Sequence, residues 1–253
     1  MKHWLKKTAN ASAKWALRPL GLELRRSGIR HFPEATAEEA TLIERFRPYT
    51  MISEQRQWSL LKAIDYIDRR AIPGDIVECG VWRGGNMMMV KAYRAKSPIR
   101  RRQFLYDTFA GMTEPTGHDV SADGRQPRLI HRKRQRDEYN AWAYASLEEV
   151  TENFRRFGLL DEEVLFTKGR VEETLRGKLL PEEIAVLRLD TDWYESTKVE
   201  LEVLYPRLRP GGVLIIDDYG TWLGAEKAVN EYFGRNGPFL VAIDSGCRIA
   251  IKA

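Results

Sequence analysis

Five short apolar runs, each followed by a stretch with helical patterning, constrain this chain more than any other feature. The runs are Asp75 to Cys79, Gln103 to Tyr106, Val164 to Thr167, Ile184 to Leu189 and Val213 to Ile216. Compact runs of this kind suit strands covered on both faces, as in a parallel sheet. Helical patterns near residues 85–97, 146–157, 171–178 and 196–205 separate them. Such β-α alternation predicts a parallel, doubly wound sheet. Upstream, Leu60, Leu61, Ile64 and Ile67 recur at helical spacing between Ser53 and Ala71, and Pro73-Gly74 ends that amphipathic helix. Downstream, after a helix near 224–234, Phe239 to Ile243 and Arg248 to Ile251 are joined by Asp244-Ser245-Gly246. That pattern predicts a terminal hairpin adding an antiparallel strand. The expected fold is α/β: a Rossmann-like, doubly wound, seven-stranded sheet with an antiparallel C-terminal hairpin.

At 253 residues and 43% apolar, the chain can bury the core of one such domain. Its formal charge of +5 is unevenly placed. Residues 1–30 hold eight Lys and Arg against Glu23 alone, so the remainder is slightly acidic. A global basic balance is therefore poor evidence for nucleic-acid binding, and none is expected. We expect residues 1–48 to form a basic helical arm, with Trp4, Ala11 and Trp15 at helical spacing, and residues 49–253 to form the main domain. The arm offers packing on its own domain or a second subunit, or peripheral contact with an anionic membrane. No run is long and apolar enough for a membrane span and no secretory leader is visible, so a cytoplasmic protein and a homo-oligomer are expected. Cys79 and Cys247 lack metal-ligand spacing and read as small buried residues. Between Gly111 and Ala145 the pattern dissolves into Gly, Pro, Asp and the basic run Arg132 to Arg136. A stretch this long without structure reads as a lid over a site or a disordered insert, and a lid is expected.

The first strand runs into Glu78-Cys79-Gly80-Val81-Trp82-Arg83-Gly84-Gly85-Asn86. Ligands of open α/β sheets bind at the carboxyl ends of strands. Gly80 would let backbone approach a ligand, and Gly84 and Gly85 would permit a tight turn into the helix. Trp82 stands where a dinucleotide fingerprint needs its second glycine, which argues against NAD. Asp107, followed by Thr108, ends the second strand, where a carboxylate can accept ribose hydroxyls. The third strand runs into Lys168-Gly169-Arg170, a place for adenine.

The fourth and fifth strands end in Asp190-Thr191-Asp192 and Asp217-Asp218. Carboxylates so placed repel one another unless a cation or protons offset them. An all-oxygen set without His or Cys points to a hard cation, and Mg²⁺ suits a site that keeps open positions. The alternative use of such residues, capping a helix, looks covered by Thr197 and Glu200 at capping-box spacing.

The turn at Glu78 to Gly85 resembles the form that holds the methionine end of S-adenosylmethionine (SAM) in class I methyltransferases. With Tyr49-Thr50-Met51, Asp107 to Met112, Leu187 to Thr197, Leu204 to Leu208 and Gly211 to Gly220, the chain resembles the macrocin O-methyltransferase, or TylF-like, family from about Tyr49 to Asp244. The resemblance implies SAM as methyl donor and a deoxysugar hydroxyl as acceptor. It implies that Asp190, Asp217 and Asp218 bind Mg²⁺ and that Asp192 is the general base. Glu78, Gly80, Trp82, Gly84, Gly85, Asp107, Thr108, Gly169, Arg170 and Asp190 would line the SAM site, with Thr50 or Met51 closing over it. His118 or His131 of the lid is the alternative base. The turn Gly169-Arg170-Val171-Glu172 and the C-terminal strand depart from the family pattern, which leaves the acceptor open. Three rival readings are a metal-dependent phosphoester hydrolase, a non-catalytic module that binds SAM or a nucleotide, and a methyltransferase acting on a catechol-like aromatic.

Overall fold

The computed structural model describes residues 34–177 and 179–253. The basic stretch 1–30 and its helix lie outside the described residues. A compact unit runs from Thr36 to Ala253. It takes in helix α1 (Ala37–Phe46), assigned above to the arm, because Ile43 and Phe46 of α1 are fully buried. Thr36 and Glu39 form a capping box at its start, a signal visible in the sequence.

The unit is built from seven strands and the helices between them. Strands β1 (Asp75–Cys79), β2 (Gln103–Asp107), β3 (Val164–Lys168), β4 (Ile184–Leu189) and β5 (Leu208–Ile216) are parallel, and β6 (Val241–Ala242) and β7 (Arg248–Ile251) complete the sheet. The order is β3-β2-β1-β4-β5-β7-β6, with β7 antiparallel to both of its neighbours. All six residues of β4 are buried, as the apolar run requires for a strand covered on both faces. Strand β6 is shorter than the run from Phe239 suggested, and both of its residues are exposed, as is Phe239.

Helix α2 (Glu54–Arg69) buries the expected Leu60, Leu61, Ile64 and Ile67. Helices α3 (Gly85–Tyr93), α4 (Pro127–Arg134), α5 (Leu147–Arg156), α6 (Val171–Thr174), α7 (Tyr194–Leu204) and α8 (Leu223–Phe233) follow. Ser146 caps α5 by accepting from Glu149 N at 3.2 Å. Helix α6 is a single turn, shorter than expected. Both cysteines are free and buried. Among the described residues, no helix is long and apolar enough to cross a membrane.

Two expectations change. The stretch 111–145 is not structureless: it contains α4, and Asp119, Ser121 and Asn140 are buried within it. Side chains replace regular structure as anchors, with Asp119 accepting from Tyr194 N at 2.8 Å and Asn140 donating to the His131 carbonyl at 2.9 Å. The second concerns α7, which begins at Tyr194, so Thr197 and Glu200 lie inside it and form no cap. Glu200 instead accepts from the Thr191 hydroxyl at 2.9 Å, supporting the loop after β4.

Candidate active site

The strand order reverses between β1 and β4, the switch point at which open α/β sheets open a crevice. Ladder hydrogen bonds continue one residue past the strands there. Asp190 N donates to Cys79 O at 2.8 Å, and Asp217 N donates to Leu189 O at 2.9 Å. Gly80, Asp190 and Asp217 are thereby brought to one level at the rim of a cavity of ≈ 360 Å³. Gly80 has φ +84°, and a Cβ there would run into the Asp190 carbonyl oxygen. Its first role is thus close approach of two strand ends.

Alternation along a strand puts Arg188 and Asp190 on the same face, and β1–β4 register pairs Arg188 with Glu78. Fully buried, Arg188 donates to Glu78 Oε1, Asp190 Oδ2 and Asp217 Oδ1, each at 2.8 Å. Arg56 of α2 reaches the other Asp217 oxygen at 2.5 Å and forks onto Asp244 at 2.7 and 2.8 Å. Five carboxylates, Glu78, Asp190, Asp192, Asp217 and Asp218, therefore face two guanidinium groups, and negative charge is left over. Burial, with the Asp217 and Asp218 charges adding to it against Arg188, pushes Asp190 well above the usual carboxylate range. Burial and the charges of Asp192 and Asp217 do the same to Asp218, whose Oδ2 is buried without a hydrogen-bond partner.

Oxygens of Asp190, Asp217 and Asp218 lie within 4.8 Å of one another. Three carboxylates, an orphaned buried oxygen and an excess of negative charge fit a hard divalent cation. Asp192 lies beside them in the left-handed region, at φ +69°. Its Oδ1 accepts from Trp222 Nε1 at 2.5 Å. Burial, reinforced by Asp190, raises its carboxyl to about 7. Trp82 and Phe109 also have positive φ, +46° and +48°, so backbone strain collects around the cavity.

The expected SAM-side residues divide. Met51, Gly80, Trp82, Asp107, Thr108, Gly169, Arg170 and Asp190 line the cavity. Thr50, Glu78, Gly84 and Gly85 do not, and each has a structural reason. Thr50 donates to Asn86 Oδ1 at 2.9 Å, and Asn86 donates to the buried Glu78 at 3.0 Å. A Cβ on Gly84 would meet the Phe154 ring, and one on Gly85 the Tyr49 backbone, so these glycines let neighbouring elements pack on the start of α3. Asp107 accepts from Val81 N at 2.7 Å, Trp82 N at 3.0 Å and Phe109 N at 2.8 Å. Most of its lone pairs thus shape the turn, leaving little of the carboxylate for a ribose. Neither lid histidine lines the cavity: His131 Nε2 lies 3.1 Å from Met112 O, and His118 packs on Tyr194.

Sequence reasoning gave no role to Arg188, Arg56, Trp222, Asn86 or Asp244. A charged residue inside a fully apolar run was a usable signal for Arg188, because a buried arginine demands partners. Arg56 and Asp244 are 188 residues apart and carry no such signal.

A switch-point cavity under this strand order, with its antiparallel seventh strand, defines a class I methyltransferase fold. A protein described as the O-methyltransferase NovP superposes with a TM-score of 0.69 at 34% identity, covering 81% of this chain and 82% of its own. The chain belongs to the macrocin-O-methyltransferase (TylF) family, whose pattern matches residues 32–244, and it is an O-methyltransferase. It is 42% identical over 190 residues to the 8-demethyl-8-(2,3-dimethoxy-alpha-L-rhamnosyl)-tetracenomycin-C 4'-O-methyltransferase of Streptomyces olivaceus, covering 75% of this chain and 69% of that one. The Demethyldecarbamoylnovobiocin O-methyltransferase of Streptomyces niveus is 37% identical, covering 73% and 67%. These relationships set aside the phosphoester hydrolase reading.

Proposed function

We propose that this enzyme transfers the methyl group of SAM to a hydroxyl of a sugar or glycosylated small molecule, in a Mg²⁺-dependent reaction with Asp192 as general base. The observation that carries the reading is the cluster of Asp190, Asp217 and Asp218 beside Asp192, in the same cavity as the Gly80 to Trp82 turn. The rhamnosyl group in the name of the Streptomyces olivaceus relative supports a sugar hydroxyl over a catechol.

Asp190, Asp217 and Asp218 would hold the ion, which when bound supplies Lewis acidity that makes an acceptor hydroxyl easier to deprotonate. Arg188 and Arg56 hold Asp217 by both oxygens, so its carboxylate stays oriented. Trp222 donates to Oδ1 of Asp192, and a side-chain hydrogen bond joins Asp192 to Asp218, so the carboxyl proposed to take the hydroxyl proton is held from two sides. The acceptor oxygen forms a bond to the sulfonium methyl carbon, and the breaking C–S bond returns its electron pair to sulfur. Trp82, Thr108, Gly169 and Arg170 line the side of the cavity assigned to SAM.

The test is Asp192→Asn. Removing the base is expected to lower kcat by about 10²- to 10⁴-fold with SAM affinity retained. Turnover equal to that of the native enzyme would exclude Asp192 as the base. In calorimetry, SAM binding should be present, and Mg²⁺ binding should disappear in Asp217→Ala/Asp218→Ala.

A further inference from the structure

Trp222, Trp142 and Met112 pack together and line the cavity. Trp222 stands edge-to-face with Trp193 at 5.0 Å and with Trp142 at 6.0 Å. The same indole donates to Asp192, so this wall adjoins the proposed base.

One cation is mounted on it. Arg125 lines the cavity with its guanidinium 4.9 Å from the Trp222 ring centroid. Its placement is built. Ser121 forms an antiparallel bridge with Trp222, Ala122 N donates to Thr221 O at 3.2 Å, and Leu223 N donates to Val120 O at 2.9 Å. Buried Asp119 anchors the base of this bridge, accepting from Thr116 N at 2.6 Å as well as from Tyr194 N. Asp123, held by the Ser121 hydroxyl, takes Arg125 Nε at 2.8 Å.

Of the other two arginines of the cavity, Arg56 is committed to Asp217 and Asp244, while Arg170, paired through Nη2 with Glu172 at 3.1 Å, stands away from the Trp222 ring. In Arg125 only Nε is engaged; among the described residues, its two terminal nitrogens take no hydrogen bond. A planar guanidinium with two free donor groups, oriented by stacking and by one carboxylate, matches an oxyanion bidentately. Helix α4 begins two residues later and carries Arg128, Arg132, Lys133 and Arg134 without an acid, which makes this rim of the molecule electropositive.

We infer that Arg125 on the Trp222 face is an acceptor subsite for an anionic sugar, one bearing a carboxylate or a phosphate apart from the hydroxyl that is methylated. The inference rests on the methyl-transfer reading above. The acidic cluster faces the reacting hydroxyl while Arg125 takes the oxyanion, so the two charges fix the sugar in one orientation across the Trp wall. A uronic acid and a glycosyl phosphate share this chemistry.

The experiment is calorimetry on the full chain with S-adenosylhomocysteine and Mg²⁺ present. Methyl α-pyranosides of gluco, galacto and manno configuration are each compared with the corresponding uronate and 1-phosphate. In at least one configuration an anionic member is expected to bind at least about tenfold tighter than the neutral one. Uronate preference and phosphate preference identify the source. Arg125→Gln should bring the anion's Kd to that of its neutral counterpart, Arg125→Lys should recover part of the difference, and Arg132→Gln/Lys133→Gln should retain it. No preference in any configuration, absence of binding included, overturns the inference, as does a preference that survives Arg125→Gln or vanishes in Arg132→Gln/Lys133→Gln. SAM binding to the native protein separates the two claims: without it the methyl-transfer reading fails, whereas with it a missing preference removes only the anionic acceptor.

Discussion

Glu200 is buried inside α7, and burial, with the Glu172 charge adding to it against the Thr191 hydrogen bond, raises its carboxyl from 4.5 to about 8. Between those values the folded chain keeps a proton that the unfolded chain has released, so stability falls as pH rises through the window. Glu200→Gln removes that dependence. The variant is expected to gain on the native protein by about 3–4 kcal/mol, or on the order of 10 °C in Tm, between about pH 5 and about pH 8. Thermal melts that run parallel at both pH values would refute the assignment. At Gly80 the constraint is steric. Gly80→Ala carries a left-handed penalty of about 1–3 kcal/mol before its clash with the Asp190 carbonyl is counted. Urea denaturation should show the loss, and an unchanged midpoint would contradict it. The motif around Gly80 was legible in the sequence, but the reason for glycine was not: the atom that excludes a Cβ comes from residue 190, on another strand.

Three strand ends meet at Arg188, which ties Glu78 on β1 to Asp190 after β4 and Asp217 after β5. Replacing one partner of a buried ionic group leaves the others uncompensated, typically at a cost of 3–5 kcal/mol. Arg188→Met should lose stability on that scale, and Mg²⁺ should raise its Tm more than it raises that of the native protein, since a bound cation then offsets the repulsion. Equal Mg²⁺ effects on both would mean that Arg188 and the ion do not share these carboxylates. Strands were readable as elements because burial on both faces makes them apolar throughout. Helix starts were less so. Thr197 and Glu200 have capping-box spacing, yet α7 starts three residues before Thr197, with the Asp192–Trp193 backbone setting its entry. Local spacing does not reveal which of two equally helical starts tertiary packing selects.

For the whole molecule, the cavity joins residues from α2, the turn after β1, the stretch 111–145 and the ends of β4 and β5. For the basic residues 1–30 two expectations stand, packing on the domain or a second subunit and contact with an anionic membrane surface, and a deletion separates them. Deleting them should reduce binding to vesicles containing phosphatidylserine and leave methyl transfer to a soluble acceptor intact; undiminished vesicle binding would end the membrane reading. The alternation of apolar runs with helical patterns determined the sheet class, and the acidic strand ends marked where carboxylates gather around the cavity, because both are set by residues close in the chain. Tertiary structure alone decided that Arg56 and Asp244 share a fork, that Arg188 holds three carboxylates, that Asp107 spends itself on the turn and that Arg125 stands on Trp222. Those contacts join residues far apart in sequence, and hydrogen-bond geometry between them exists only once strand register and helix packing have placed the backbones that carry them.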